Sequence, residues 1–292
     1  MIKTRPVVTT RTFRAVAVAA SLVIAGGLGT GRADAQELPL APVRGTDQGI
    51  WPAFEGWYEN ADGTYTLYFG YFNRNAEQVV DIPIGERNFI EPAEFDGGQP
   101  TRFHPRRHWG VFGVQVPPDF GTQRTIYWNL IIDERTYRVP GHLRWEWGTD
   151  ALRGEAGSGN TPPVLRLGSA EGAGPGGVTA PEILSASVGR PLEVRVWAMD
   201  DGRPDTAVGR LGPADVPVTL TWFKHQGPGD VTFAVQEAEV PVTGGAASTT
   251  VTFDAPGDYV LRVRANDASG VSGAGHAQCC WTNGFVKVAV TP

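Results

Sequence analysis

The stretch TFDAPGDYVLRVRAND, residues 252–267, decides the fold of the C-terminal half of this chain. It contains a turn at Pro256 and Gly257, and every second residue from Tyr259 to Ala265 is apolar. That period of two indicates a β-strand with one face in a hydrophobic core. Tyr259 near the start of the strand suits a tyrosine corner, in which the ring is buried and the hydroxyl binds nearby backbone.

Similar runs lie on both sides of this strand. Short alternating or β-branched segments, separated by turn residues, occupy residues 164–167, 191–198, 216–223, 231–235, 248–253 and 285–290. Together they give about seven strands, the number expected of an immunoglobulin-type sandwich. Trp222, near the end of its strand, has the position of the core indole in such a sandwich.

A family resemblance accompanies this pattern. The segments LTWF at residues 220–223 and GPGDVTF at 227–233, followed by residues 252–267, resemble the polycystic-kidney-disease (PKD) repeat family. The resemblance implies an extracellular β-sandwich used in adhesion, spacing or carbohydrate association, usually without catalysis. The chain departs from the family at two long inserts, one between Ala198 and Val216 and one between Ala268 and Trp281.

The N-terminal half also predicts β-structure. The Asp62-Gly63 pair indicates a tight hairpin, and five or more short strands follow, the last of them over residues 142–147. The segments FEGWYEN (54–60), FGYFNRN (69–75) and PRRHWGVF (105–112) resemble uncharacterised exported bacterial proteins, which imply no activity. The predicted fold is therefore all-β, with two antiparallel β-sandwich-like domains, the C-terminal one immunoglobulin/PKD-like.

The first residues predict export. A basic leader, an apolar run and the small-residue exit Ala33-Asp34-Ala35 are typical of a secretory signal peptide. We expect a signal peptide at 1–35, a lead-in at 36–50, an N-terminal domain at 51–147, a linker at 148–163 and the sandwich at 164–292. The mature chain is expected to be secreted or periplasmic, without a transmembrane segment. The formal net charge of −6 disfavours nucleic acid as a partner.

The two inserts are candidates for a cation site. In an immunoglobulin topology they lie at the same pole of the sandwich. They bring candidate ligands for calcium or another metal, namely Asp200, Asp201, Asp205, Asp215, Asn266, Asp267, His276, Cys279 and Cys280. The alternative is that these acids are ordinary turn residues.

The adjacent cysteines leave three interpretations open. Cys279 and Cys280 form a strained vicinal disulfide in an oxidising compartment, bind a soft metal together with His276, or remain inert thiols. Neighbouring side chains on a strand point in opposite directions, so shared ligation requires a turn in the backbone.

A basic segment in the N-terminal half is the other candidate site. His104, Arg106, Arg107 and His108 have the chemistry to bind an anion or a carboxylated sugar. The alternative is a solvated loop whose arginines pair with acidic residues at positions 86, 91 or 94.

These observations predict an exported, non-catalytic binding or structural protein of the cell envelope or extracellular space. Its expected partner is a glycan or an envelope protein, and its many N-terminal aromatics form either a sugar-stacking face or a packed core. The sequence lacks the nucleophile elbow, the His-Glu-x-x-His motif and a phosphate loop. The alternative is a metal-dependent enzyme or accessory protein at the pole of the two inserts.

Overall fold

The N-terminal half consists of short strands in three antiparallel sheets. The computed structural model describes residues 44–153, 159–203, 216–267 and 280–292. Up to residue 142 the strands are β1 (Ile50–Glu59), β2 (Tyr65–Asn73), β3 (Val80–Asp81), β4 (Asn88–Glu91), β5 (Arg102–Phe103), β6 (Arg106–Val116), β7 (Thr125–Ile132) and β8 (Arg135–His142). The sheets have the orders β1-β2-β6, β4-β7-β8 and β3-β5.

The C-terminal half is a sandwich of two five-stranded sheets. Its strands are β9 (Val164–Leu167), β10 (Ala170–Gly172), β11 (Val178–Ser187), β12 (Leu192–Met199), β13 (Val218–Gln226), β14 (Val231–Phe233), β15 (Glu237–Val240), β16 (Gly245–Phe253), β17 (Gly257–Asn266) and β18 (Trp281–Thr291). One sheet has the order β10-β9-β12-β16-β14 and the other β11-β18-β17-β13-β15. All pairs are antiparallel except β11 with β18, which is parallel. The predicted all-β class is confirmed.

The core of the sandwich matches the alternation in the sequence. Trp222 and Tyr259 are both buried among aliphatic side chains of the two sheets. The Tyr259 hydroxyl donates to the Ala255 carbonyl at 2.8 Å and accepts the Gly229 amide at 3.0 Å. The predicted tyrosine corner is therefore confirmed, and it joins two turns of the sandwich.

Aromatic rings fill the core of the N-terminal half. Phe69 stacks on Phe112 with ring centroids 5.4 Å apart, and the edge of Trp128 packs against both. Buried Phe103 lies on the other side of Trp128. Because these rings come from three different sheets, the core holds the three sheets together.

Two local predictions have different outcomes. The hairpin at Asp62-Gly63 is confirmed, since β1 pairs with β2 across it and Gly63 has a φ of +81°. The strand predicted over residues 142–147 is wrong, because Trp145–Trp147 is a 3₁₀ turn. The physical reason is that His142 already pairs with Thr125, the first residue of β7, so no strand remains for a continuation to pair with.

The outer face of β13, β17 and β18 packs against the N-terminal sheets. Val43–Pro292 form one compact unit. The Trp281 indole N–H donates to the Gly110 carbonyl at 3.2 Å, and the Thr101 amide donates to the His225 carbonyl at 2.8 Å. The described part of the segment expected to be a linker is also packed, since Ala151 is fully buried. The predicted domain boundaries stay predictions, and residues 1–35 lie outside the described ranges.

Candidate functional site

The basic segment at 104–108 is not a solvated loop. Arg106–Val116 form strand β6, so that part of the expectation is wrong. The Arg107 guanidinium donates to the Glu55 carboxylate at 2.5 Å and stacks on the Trp109 ring at 3.8 Å. Arg107 thus pairs with Glu55 and with none of the acids proposed from sequence, while Arg106 is exposed.

The carboxyl group of Glu55 lies in a low-dielectric setting. Burial raises the pKa of Glu55 to about 7, although the charge and hydrogen bond of Arg107 oppose this change. Desolvation therefore outweighs the attraction of the ion pair. Because its guanidinium is already bound to Glu55, we assign Arg107 a structural role.

The two histidines of this segment turn toward the C-terminal sandwich. His108 stacks on Tyr71 with centroids 4.9 Å apart, and the His104 backbone amide donates to the Tyr71 hydroxyl at 2.9 Å. Burial lowers the pKa of His104 to about 4 and that of His108 to about 3, with nearby arginines adding to both shifts. Both imidazoles are therefore neutral at neutral pH. Each ring also packs against Phe223 of β13.

Two arginines that sequence reasoning did not select complete this region. Arg262 and Arg264 lie on β17 with their guanidinium carbons 4.4 and 5.6 Å from the centroid of the Phe223 ring. The signal was present, because alternation places Arg262 and Arg264 on the face opposite Leu261 and Val263. The sequence did not show that the N-terminal sheets cover that face.

The acidic pole is partly assembled. Asp201 accepts hydrogen bonds from the Thr161 amide and hydroxyl at 3.1 and 2.9 Å, and Asp267 accepts one from the Asn160 amide group at 2.7 Å. Burial, and then the charges of Asp267 and Asp201, raise the pKa of Asp200 to about 6. Asn266 ends β17 beside this group.

The metal prediction for this pole remains untested. Asp205, Asp215, His276 and Cys279 lie outside the described residues. Within the described ranges, no group of three or more His, Cys, Asp or Glu side chains is placed to hold a metal ion. Cys280 is buried and disulfide-bonded. The vicinal pairing with Cys279, like calcium binding, stays a prediction.

A cleft lined by aromatic and polar residues opens beside the first strand. Its volume is about 730 Å³, and its lining includes the half-buried Trp57 and the buried Tyr58. The polar lining consists of Glu59, Asn60, Thr149, Asp150 and Arg153. Trp57 is held by a hydrogen bond from its indole N–H to the Arg144 carbonyl at 2.8 Å and by the edge of Tyr65.

The segment that forms one wall of the cleft also exposes two indoles. Trp145 is 86% exposed and Trp147 is 42% exposed, and they immediately precede the cleft-lining residue Gly148. The Thr149 amide donates to the Trp57 carbonyl at 2.9 Å, which fixes this segment against β1. An exposed indole beside a polar cleft can contact a ligand that has both apolar and hydroxylated faces.

Comparisons with known proteins give distant likenesses. No family model matches the chain, and no curated protein matches it. One similar solved structure is the crystal structure of domains 4 and 5 of the S-layer protein SbsC, with 12% sequence identity and a TM-score of 0.24. The match covers 58% of this chain and 66% of that chain, which is just under two thirds of its length. The crystal structure of a protein of unknown function from Porphyromonas gingivalis W83 has 9% sequence identity and a TM-score of 0.24. That match covers 83% of this chain and 100% of the other chain. Likenesses this weak transfer no function.

The described ranges contain no helix of the length and hydrophobicity that a membrane span needs.

Proposed function

We propose that this is an exported, non-catalytic binding protein of the cell envelope or extracellular space, and that it binds a glycan at the cleft beside Trp57. The observation that supports the proposal most is the 86% exposure of Trp145, which lies three residues before the cleft-lining Gly148. Indoles are usually buried to a large extent, so two indoles exposed on one short turn favour a binding surface.

The chemistry of the cleft suits a sugar. The apolar C–H face of a pyranose packs on an aromatic ring, while its hydroxyl groups both donate and accept hydrogen bonds. The carboxylates of Glu59 and Asp150 accept hydrogen bonds and the Arg153 guanidinium donates them, so the cleft supplies partners of both kinds. A cleft that combines rings with several hydrogen-bonding groups therefore matches both faces of such a ligand.

The surface is ordered before any ligand arrives. Trp57 is fixed by its bond to Arg144, and residues 145–149 are tied to β1 through the Thr149 amide. Binding a flexible polysaccharide to a fixed surface costs less ordering of protein side chains than binding it to a mobile loop. The rigid β-structure around the cleft thus supports a binding role.

The proposal is tested by binding the purified mature protein to a glycan array and to insoluble polysaccharides. We expect Trp145→Ala to weaken binding at least about tenfold, which corresponds to about 1.4 kcal/mol. Trp51→Ala is the matched control, because Trp51 is another exposed indole but lies at the start of β1, at the opposite end of that strand from the cleft-lining Trp57. Glycan binding that is absent, or equally weakened in both variants, contradicts the proposal. Capture of an envelope protein in place of glycans would favour a protein partner.

A further inference from the structure

Four basic or imidazole side chains surround one phenyl ring where the two halves of the chain meet. This group, the Phe223 cluster, consists of Phe223, Arg262, Arg264, His104 and His108. The guanidinium carbons of Arg262 and Arg264 lie 4.4 and 5.6 Å from the centroid of the ring, and the imidazole centroids of His104 and His108 lie at 5.8 and 6.4 Å. The two guanidinium groups therefore bring two positive charges to this ring, while both imidazoles are neutral.

This positive charge is not neutralised by an ion pair. Neither Arg262 nor Arg264 takes part in a salt bridge of the described residues. Asp81 pairs with Arg102 and Lys224, and Glu237 acts on Arg264 through its charge without forming a salt bridge with it. Burial, and then the charge of Arg264, lower the pKa of Arg262 to about 9, so it remains charged at neutral pH.

Several hydrogen-bond donors of the cluster also lack partners. Arg262 is only 3% exposed, and its one hydrogen bond within the described residues goes from Nη1 to the Asn283 side-chain oxygen at 3.2 Å. Its Nε, the Nε of Arg264 and the Nε2 of His104 are buried and have no hydrogen-bond partner among the described residues. Such donors and an uncompensated charge are costly inside a protein. The stacking of guanidinium groups on Phe223 offsets part of this cost.

We propose that the Phe223 cluster binds a small oxyanion, phosphate or sulfate, either free or as a substituent of a larger molecule. The two guanidinium groups match the charge and the fork geometry of such an anion. The Nε2 of neutral His104 is a donor in the tautomer that carries the ring proton there. His104, His108 and Arg264 are only partly buried, whereas Arg262 is almost completely buried.

The site differs from the one predicted from sequence in its cations. Arg107 is bound to Glu55, while Arg262 and Arg264 come from the other half of the chain. An anion there would bridge β6 and β17. Bound there, the anion would stabilise the contact between the two halves of the chain. This proposal does not depend on the glycan proposal.

The test measures thermal unfolding of the full mature chain with inorganic phosphate, against sodium chloride of equal ionic strength. At phosphate a hundred times above the Kd, we expect the melting temperature to rise by roughly 5 °C, with one site per chain in calorimetry. Arg264→Gln should abolish the rise. Arg138→Gln should retain it, because Arg138 is likewise stacked on an aromatic ring, that of Tyr127, but lies on β8.

Further variants and a competition measurement show whether the site exists and which anion it takes. If Arg262→Gln fails to fold, Arg264→Gln and His104→Gln still test the site, because both side chains are only half-buried. An equal phosphate effect in wild type and Arg264→Gln, or none in wild type, overturns the proposal. A sulfated polysaccharide that competes with phosphate in wild type identifies a substituent of a larger molecule, while phosphate binding without such competition identifies the free ion.

Discussion

At the scale of single residues, burial and charge oppose each other at Glu55. Its carboxylate accepts a hydrogen bond from Arg107, yet its side chain is only 7% exposed and its pKa is about 7. A folded pKa above the ordinary value of 4.5 means that the folded state binds more protons between these two values. The stability associated with the protonated carboxyl is therefore complete below about pH 4.5 and is lost as pH rises through 7.

Glu55→Gln tests this balance. Relative to wild type, the free energy of unfolding of the variant should increase by up to roughly 3 kcal/mol between pH 4.5 and pH 8, because one pKa unit is about 1.36 kcal/mol. Denaturant unfolding across this pH range measures the difference. Glu94→Gln is the control, since Glu94 also pairs with an arginine but is exposed. A pH-independent difference for Glu55→Gln contradicts the argument.

At the scale of elements, alternation along a strand was sufficient to predict much of the sandwich. Tyr259, Leu261 and Val263 follow a period of two because one face of β17 lies in the core. The short strands β4 and β15 were not predicted, because a few residues carry too little pattern to distinguish a strand from a turn. Strand β6 includes Arg106, Arg107 and His108, for which the sequence left a solvated loop open, because these residues pair with β2.

The contact between β6 and β18 depends on a glycine. Gly110 has a φ of +43°, and a Cβ there would lie 2.3 Å from the Trp281 ring. Gly63 also has a positive φ, +81°, but a Cβ there would meet nothing within 4 Å. Alanine at Gly63 therefore introduces backbone strain alone, whereas alanine at Gly110 adds a steric clash with Trp281.

Gly110→Ala should lower the free energy of unfolding by about 3 kcal/mol or more, because the methyl group must displace a fully buried indole. Gly63→Ala should cost only about 1 kcal/mol, the usual penalty of a left-handed backbone for alanine. Chemical denaturation followed by tryptophan fluorescence compares the two variants. Equal losses would show that the Trp281 contact contributes little.

At the scale of the whole molecule, the sequence predicted the all-β class but not how the halves combine. That packing joins residues far apart in the chain, such as Gly110 with Trp281 and Thr101 with His225. No local period encodes such a match, because it depends on the shape of two surfaces. The candidate sites changed for the same reason: His104 and His108 face Arg262, which the sequence places in a different domain.

The packing of the halves places neutral histidines in the interior. His225 is 2% exposed, and its Nε2 donates to the Gly98 carbonyl at 2.9 Å across the contact between the halves. Burial, and then the charge of Arg262, lower the pKa of His225 to about 3, while the value for His104 is about 4. Because these folded pKa values lie below the ordinary 6.5, the unfolded chain binds more protons between pH 6.5 and 4. The stability contributed by the neutral rings is present above pH 6.5 and is lost as pH falls.

We therefore expect His225→Gln to reduce the acid sensitivity of the whole molecule. The slope of unfolding free energy against pH between 6 and 4 should decrease by about 1.4 kcal/mol per pH unit, the contribution of one titrating group. Glutamine keeps a donor for the Gly98 carbonyl, so the contact itself is preserved. Glu55 contributes a slope of opposite sign over part of this range, and the measurement is best made in the Glu55→Gln background. An unchanged slope would show that protonation of His225 does not limit the acid stability of the contact between the halves.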